Sequence, residues 1–318
     1  MSKDLECAIA DDSLTIVKYT GSAAQIEIPD AIDGIPVRTI GFKAFAHCSS
    51  LTGVVIPDSI TAIGDCAFLK CENLKSAVIP NSITAIKDCA FLKCENLKSA
   101  VIPDSVRTIG FGAFAYCIRL TSVVISNSVR SIGFEAFAHC SSLTGVVIPA
   151  SVRSIGFGIF DACKSLTSVD ISDLVAPIGN DAFLDCKSLT SITAGRQNRQ
   201  YASNNGILFS KDKKTLSLYP PGRKGSYIIP AWITAIGDKA FWGCKSLIGV
   251  VIPNSVTAIG KEAFSKCAVS GVVIPDSVET IGDGAFSDCR SLTSVTLSRR
   301  TKIGASAFPS GAEITYRD

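Results

Sequence analysis

Apolar residues recur along this chain in a fixed order, separated by polar turns. In the unit that begins at Leu51 they fall at Leu51, Val54, Ile56, Ile60, Ile63, Ala67, Phe68 and Cys71, and Leu74 opens the next unit. With Leu51 as position 1, the stretch to Ile56 has the alternation of a strand whose positions 4 and 6 face inward. Pro57-Asp58-Ser59 stops that strand and turns the chain. Ile60 and Ile63 form a second short apolar stretch, and Gly64 supplies a bend. Positions 15 to 22 predict a helical turn or two with Ala, Phe and Cys directed inward.

The unit repeats. Phe at position 18 recurs at 45, 68, 91, 114, 137, 160 and 183, in steps of 23, and then at 241, 264, 286 and 308 after a gap of 58. Periods of about 20–29 residues mark leucine-rich repeats. The pattern LTSVVISNSVRSIGFEAFAHC at 120–140 resembles the BspA-like, treponemal-type leucine-rich repeat, and the likeness covers roughly residues 36–309 in eleven units with one interruption. Two cassettes recur almost unchanged, DCAFLKCENLKSAVIP at 65–80 and 88–103, and FKAFAHCSSLTGVVIP at 42–57 and 134–149. The resemblance implies a leucine-rich-repeat solenoid, α/β or mostly β, wound as a right-handed coil of about eleven 22–23-residue repeats. It also implies a surface protein that attaches to host matrix or to other cells, without identifying a ligand.

Stacked coils leave apolar edges at both ends, so caps are needed. Residues 1–35 are expected to form an N-terminal β cap, with SLTIVKYTGSAAQIEIP at 13–29 as strand, turn and strand. Repeats then run over 36–194 and again from 230. The chain closes near 318 with a covering strand over Ala312 to Tyr316, the whole forming one continuous solenoid domain. Between 195 and 229 the period breaks, and GILFSKDKKTLSLYP at 206–220 predicts an inserted β-hairpin. Arg196, Arg199, Lys211, Lys213, Lys214, Arg223 and Lys224 stand there against Asp212 alone, a net +6 that leaves −3 for the rest of the chain. Inserts in solenoids project from one face and are frequent binding sites.

Composition narrows the function. Charged residues are 19% and hydrophobic ones 47%, as in a core-building chain, and the net charge of +3 gives nucleic acid little to attract. The opening MSKDLECAIADDSL has five charged residues and no apolar stretch of signal-peptide length. No apolar run approaches the roughly 18 residues that would insert in a bilayer. Two localisations stay open: cell surface or secreted, with any signal outside this sequence, or cytoplasmic.

Ten of the thirteen cysteines sit at position 21 and are expected to form a buried column of thiols, each bonded to a loop carbonyl. Cys66 and Cys89 add a second pair beside Cys71 and Cys94. Thiols five residues apart on a helical turn diverge by about 140°, so no metal is expected there. The only histidines, His47 and His139, lie four coils apart, roughly 19 Å, and cannot share a proton or a metal. With no phosphate-binding loop and no acidic cluster either, the chain reads as non-enzymatic, with no cofactor.

Two rows remain as candidate surfaces. Position 5 points outward and holds Val55, Val78, Val101, Val124, Val147, Val251 and Val273, with Asp170, Thr193 and Thr296 as exceptions. Position 3 beside it is always Gly or Ser. This flat apolar stripe suits stacked β-branched residues, and equally a docking face for a protein or glycan ligand on a host or neighbouring cell, or for a second copy of the chain. Position 15 holds Phe42, Phe111, Phe134 and Phe157. There, position 19 is small in three of the four units (Ala46, Ala115, Ala138), and it is large (Leu69, Leu92, Leu184, Trp242) where position 15 is Asp65, Asp88, Asn180 or Asp238. This predicts one shared, filled pocket, with Phe157 the aromatic left showing. Arg107, Arg130 and Arg153 form a solvated row at position 11. The functional expectation is an adhesion or binding module that uses the strand face and the basic insert; the alternative is an intracellular protein–protein scaffold.

Overall fold

The computed structural model describes residues 2–175, 177–179 and 181–318. The chain folds as a parallel-strand β-solenoid of about 13 turns with almost no helix. It divides into two compact units, Met1–Leu166 with Leu174–Phe183, and Thr167–Asp173 with Leu184–Asp318.

In the first unit the hairpin Leu5–Ala10 and Ser13–Tyr19 is antiparallel. Its turn is Asp11-Asp12, with both residues at positive φ, as the tightest hairpins require. Ser13–Tyr19 then pairs in parallel with Ile35–Ile40, which leads the two-residue strands Ala62–Ile63, Ala85–Ile86, Thr108–Ile109 and Ser131–Ile132. The other ladder runs Gln25–Glu27, Gly53–Val55 and Ser76–Val78, and Ser99–Ile102 pairs with Ser122–Ile125. The two strands expected at 13–29 therefore do not pair with each other. Each opens a different ladder, because a coil with two strand sides needs a cap on both.

The segment after each second strand differs from the expected helical turn. The only helical element among the described residues is the 3-10 turn Ser2–Asp4. Positions 14 to 21 are instead a run of overlapping turns whose amides alternate between two destinations. Ala44, Ala46 and Cys48 donate within their own coil, to Gly41, Lys43 and Phe45 carbonyls. Lys43, Phe45 and His47 donate to the next coil, to Asp65, Ala67 and Leu69 carbonyls at 3.1, 2.8 and 2.7 Å. An α-helix would keep all these donors within one coil, whereas here half of them serve the stack. The alternation sends positions 16 and 20 into the left-handed region: Lys43 and His47 at φ 56° and 63°, Cys66 and Lys70 at 57° and 55°.

The second unit repeats this plan, including the cap. Ser168–Ile171 pairs with Ser191–Ala194, and then the period breaks. Tyr201–Asn204, Ile207–Ser210 and Thr215–Leu218 form an antiparallel meander, and Thr215–Leu218 opens the parallel ladder of Ala235–Ile236, Ala258–Ile259, Thr280–Ile281 and Lys302–Ile303. The hairpin expected at 206–220 does form, Ile207–Ser210 against Thr215–Leu218, but as part of a meander that is built into the ladder. Ile207, Leu208, Phe209, Leu216 and Leu218 are all buried, and Ile207, Phe209 and Leu216 join the core built by Phe241, Phe264 and Phe286. Gly225–Ile228, placed by sequence within the insert, is already a repeat strand and pairs with Leu247–Val251. Glu313–Arg317 closes the unit in parallel with Ser294–Ser298.

Position 18 makes the core. Phe45, Phe68, Phe91, Phe114 and Phe137 stack with centroids 5.1–5.5 Å apart in the first unit, and Phe241, Phe264 and Phe286 at 4.6–4.8 Å in the second. Each stack begins on a cap tyrosine: Tyr19 lies 5.3 Å from Phe45, and Tyr219 4.9 Å from Phe241. Beside the rings runs the thiol column. Cys71, Cys94, Cys117, Cys140 and Cys163 donate to the Phe45, Phe68, Phe91, Phe114 and Phe137 carbonyls of the preceding coil at 2.9–3.3 Å. Burial pushes the Cys117 and Cys163 thiols up to about 12, from an ordinary value near 9.

Phe91→Ala should cost about 3–5 kcal/mol in urea unfolding, while Phe134→Ala, at exposed position 15, should cost within about 0.5 kcal/mol. Native protein should expose only the half-buried Cys7, Cys48, Cys66 and Cys89 to an alkylating reagent counted by mass, with the other nine reacting on unfolding. Because the unfolded thiols ionise first, stability should be full below pH 9 and decline as pH rises toward 12. Flat denaturation midpoints across that window would contradict the column.

Candidate functional site

Strand alternation sends positions 4 and 6 inward and leaves 3 and 5 outside. Val54, Ile56, Val146 and Ile148 are buried accordingly, whereas Val55, Val78, Val101, Val124 and Val147 of the first unit are 55–69% exposed. In-register pairing places Val55 beside Val78 and Val101 beside Val124. The serine or glycine at position 3 gives the row no bulky wall. In the second unit Asp170 and Thr193 are joined by a hydrogen bond from the threonine hydroxyl to the carboxylate. Val251 and Val273 are again exposed. Ile228, opposite Val251 in the register and 71% exposed, extends that row and was missed by sequence reading. Its signal was present: Ser226-Tyr227-Ile228-Ile229-Pro230 has the spacing of Gly-Val-Val-Ile-Pro.

The four phenylalanines at position 15 do not fill a pocket. Phe42, Phe111, Phe134 and Phe157 are 46–64% exposed, and Phe42 shows more than Phe157. The expectation failed because positions 15 and 19 do not lie on one helical face; the left-handed residue at 16 separates them. Position 15 instead has two ways to close the step to the next coil. The Asp88 and Asp238 carboxylates accept the amides of Phe111 and Lys261, each at 2.7 Å. Phe134 lays its ring over Gly156, where a Cβ would come within 2.8 Å of it. The Asn180 member of this comparison lies outside the described residues.

The remaining candidates are dispersed. His47 is exposed, and His139 stacks at 4.1 Å on Tyr116, 3.9 Å from the Asp161 carboxylate. Arg107, Arg130 and Arg153 are exposed, and Arg107 folds back onto the Asp104 carbonyl at 2.7 Å. Among the described residues no three His, Cys, Asp or Glu side chains converge in a way that could hold a metal.

The basic residues of 195–229 separate into groups. Lys211 Nζ reaches the Arg196 carbonyl at 3.1 Å, which brings those two together. Lys213 and Lys214 lie at the meander's second turn, where the Asp212 carboxylate accepts from Ser210 at 2.6 Å and from the Lys214 amide at 3.0 Å. Arg223 turns the other way, its Nε donating to the Thr190 carbonyl at 2.8 Å, with Lys224 exposed next to it. Arg199 follows buried Asn198, whose carboxamide oxygen accepts from the Gln200 and Tyr201 amides.

The comparisons with known proteins agree with this architecture. The family model described as "BspA type Leucine rich repeat region (6 copies)" matches residues 17–144, 107–211 and 225–316. A leucine rich cell surface protein from Faecalibacterium prausnitzii is similar at 28% identity and TM-score 0.63, over 99% of this chain and 93% of that one. A leucine-rich repeat protein from Bacteroides ovatus (23%, TM-score 0.67, 99% and 98%) and the pneumococcal vaccine antigen PcpA (19%, 0.65, 99% and 87%) share the fold. Among curated proteins, none matches. With the family model covering most of the sequence, the chain belongs to the BspA-type leucine-rich repeat family.

Proposed function

We propose that this protein is a non-enzymatic adhesion module working at a cell surface, and that the exposed valine row of its strand ladder is the contact surface for a protein or glycan on a host or neighbouring cell. The observation that carries the reading is Val55, Val78, Val101, Val124 and Val147, five consecutive apolar side chains each more than half exposed. Burying a valine is worth roughly 1.5–3 kcal/mol. This row leaves that stabilisation unused in the folded chain and available to a partner. Glycine or serine at position 3 lets a flat surface approach the row on that side without a clash. The cell-surface description of the Faecalibacterium relative supports the same location. No helix among the described residues is long and apolar enough to cross a membrane.

A second reading, an intracellular scaffold using the same row, is favoured by one observation: none of the thirteen cysteines is in a disulfide, which suits a reducing compartment. Surface biotinylation of intact cells separates the two.

The double variant Val101→Lys with Val124→Lys should keep its thermal unfolding profile and lose about tenfold or more in capture by host-cell or matrix fractions, since two charges replace the row's centre. Undiminished capture by the folded variant would remove the row from the account. Replacing Lys211, Lys213 and Lys214 with Gln tests the meander separately; a contribution there should appear as weaker salt dependence of capture.

A further inference from the structure

The outer ladder of the second unit has a gap in it. Ser168–Ile171 pairs with Ser191–Ala194, and pairing resumes only with Gly225–Ile228 against Leu247–Val251. The turn of the meander's first hairpin enters the gap, and the Ile192 amide donates to the Gly206 carbonyl at 2.9 Å. Beside it a notch of about 720 Å³ opens, with Ser191 on one side and Ser226 and Tyr227 on the other. Its shape depends on two glycines. A Cβ on Gly206, which has φ +70°, would lie 2.7 Å from Ser191 Oγ, and one on Gly222 would lie 2.5 Å from the Leu189 nitrogen.

The charge in the notch has one sign. Arg223 Nε donates to the Thr190 carbonyl at 2.8 Å, and its Nη2 to the Asn205 carbonyl. Both acceptors are neutral, so they hold the guanidinium in place without cancelling its charge. Lys224 is exposed at the same rim. Among the described residues lining the notch none is acidic, and neither cation has an ion pair. One anchored guanidinium and one exposed ammonium therefore line a concavity whose other polar side chains are hydroxyls and an amide. The rings add an apolar face: Tyr227 is half-buried and tilted against Tyr219 at 4.8 Å, and the Arg223 guanidinium lies 5.8 Å from the Tyr219 ring.

We propose that this notch binds an acidic saccharide, a carboxylated or sulfated sugar, with Arg223 and Lys224 receiving the anionic group. Ser191, Ser226 and the Asn205 side chain then meet ring hydroxyls, and Tyr227 covers the sugar's C–H face. At about 720 Å³ the notch has room for a sugar ring as well as its anionic group. Backbone bonding separates it from an extended acidic peptide. Such a peptide adds to a sheet edge through free main-chain donors, and on the Ser191–Ala194 edge the Ile192 and Ala194 amides are already taken by Gly206 O and Ser203 Oγ. The proposal stands on the notch alone and does not depend on the valine row.

Isothermal titration of the full chain tests it, with a hyaluronan tetrasaccharide, a heparin tetrasaccharide, neutral chitotetraose, inorganic sulfate and hexaglutamate as probes. Saturable binding of either acidic tetrasaccharide, absent for chitotetraose, is the expected result; hyaluronan binding shows that a carboxylate suffices, and binding of heparin alone shows that sulfate is needed. Lys224→Glu, a change at an exposed side chain, should weaken that binding about tenfold or more. Arg223→Lys, which keeps the charge but loses the planar fork, should weaken it as well. Val101→Lys with Val124→Lys should leave it unchanged, so failure of this site and failure of the valine row are told apart. The proposal is overturned if neither acidic sugar binds, if sulfate or hexaglutamate binds as well as the sugars, or if Lys224→Glu binds as the parent does.

Discussion

Within each unit, neighbouring coils exchange backbone hydrogen bonds, and the rest of the structure depends on that exchange. It happens on three sides of the unit: the outer strand ladder, the ladder of two-residue strands, and the turn at positions 16, 18 and 20, where Lys43, Phe45 and His47 reach the carbonyls of residues 65, 67 and 69. A buried amide without an acceptor costs as much as a lost hydrogen bond, so the coils cannot drift out of register. Like residues therefore stand above like. The phenylalanine stack and the thiol column are consequences of that alignment, each phenylalanine carbonyl receiving a thiol from the following coil.

The same constraint explains the costs the chain accepts and the way it ends. Left-handed backbone disfavours non-glycine residues by about 1–2 kcal/mol, yet lysine, cysteine, histidine and glutamate occupy positions 16 and 20. The strain persists because the turn must aim alternate amides at the neighbouring coil. A stack also needs something to start on. Both units solve this alike: an antiparallel hairpin whose second strand opens the two-residue ladder, followed by a tyrosine, Tyr19 or Tyr219, on which the phenylalanines stack. The segment that interrupts the repeat is in this sense a second cap, and the notch arises where that cap's turn enters the outer ladder.

A lattice with its interior and backbone fully committed has little freedom left except on its outward positions. Position 5 can vary without disturbing the stack, and in the first unit it is valine five times running. Uniform apolar exposure on a rigid, evenly spaced ladder favours a broad contact over a focused catalytic constellation. The polar notch beside the second cap differs in kind. It gathers charge, hydroxyls and rings at a single place, which the regular ladder cannot do because it repeats.

Residues separated by one period could be read directly from the sequence. The 23-residue spacing determined the coils, the inward Phe and Cys columns and the outward valines, because translational stacking turns sequence period into spatial alignment. What escaped was whatever depends on where a donor or a side chain is sent. Positions 15 to 22 resembled a helix, since Ala, Phe and Cys spacing is the same whether an amide bonds within its coil or to the next. Phe111 and Phe134 were therefore placed in a pocket that does not exist. The insert's apolar residues, Ile207 to Leu218, showed strands but not their destination, because pairing across long separations is decided by which coil lacks a cover. For the same reason only the tertiary structure could turn Arg223 and Lys224 away from the other basic residues and set them in the notch.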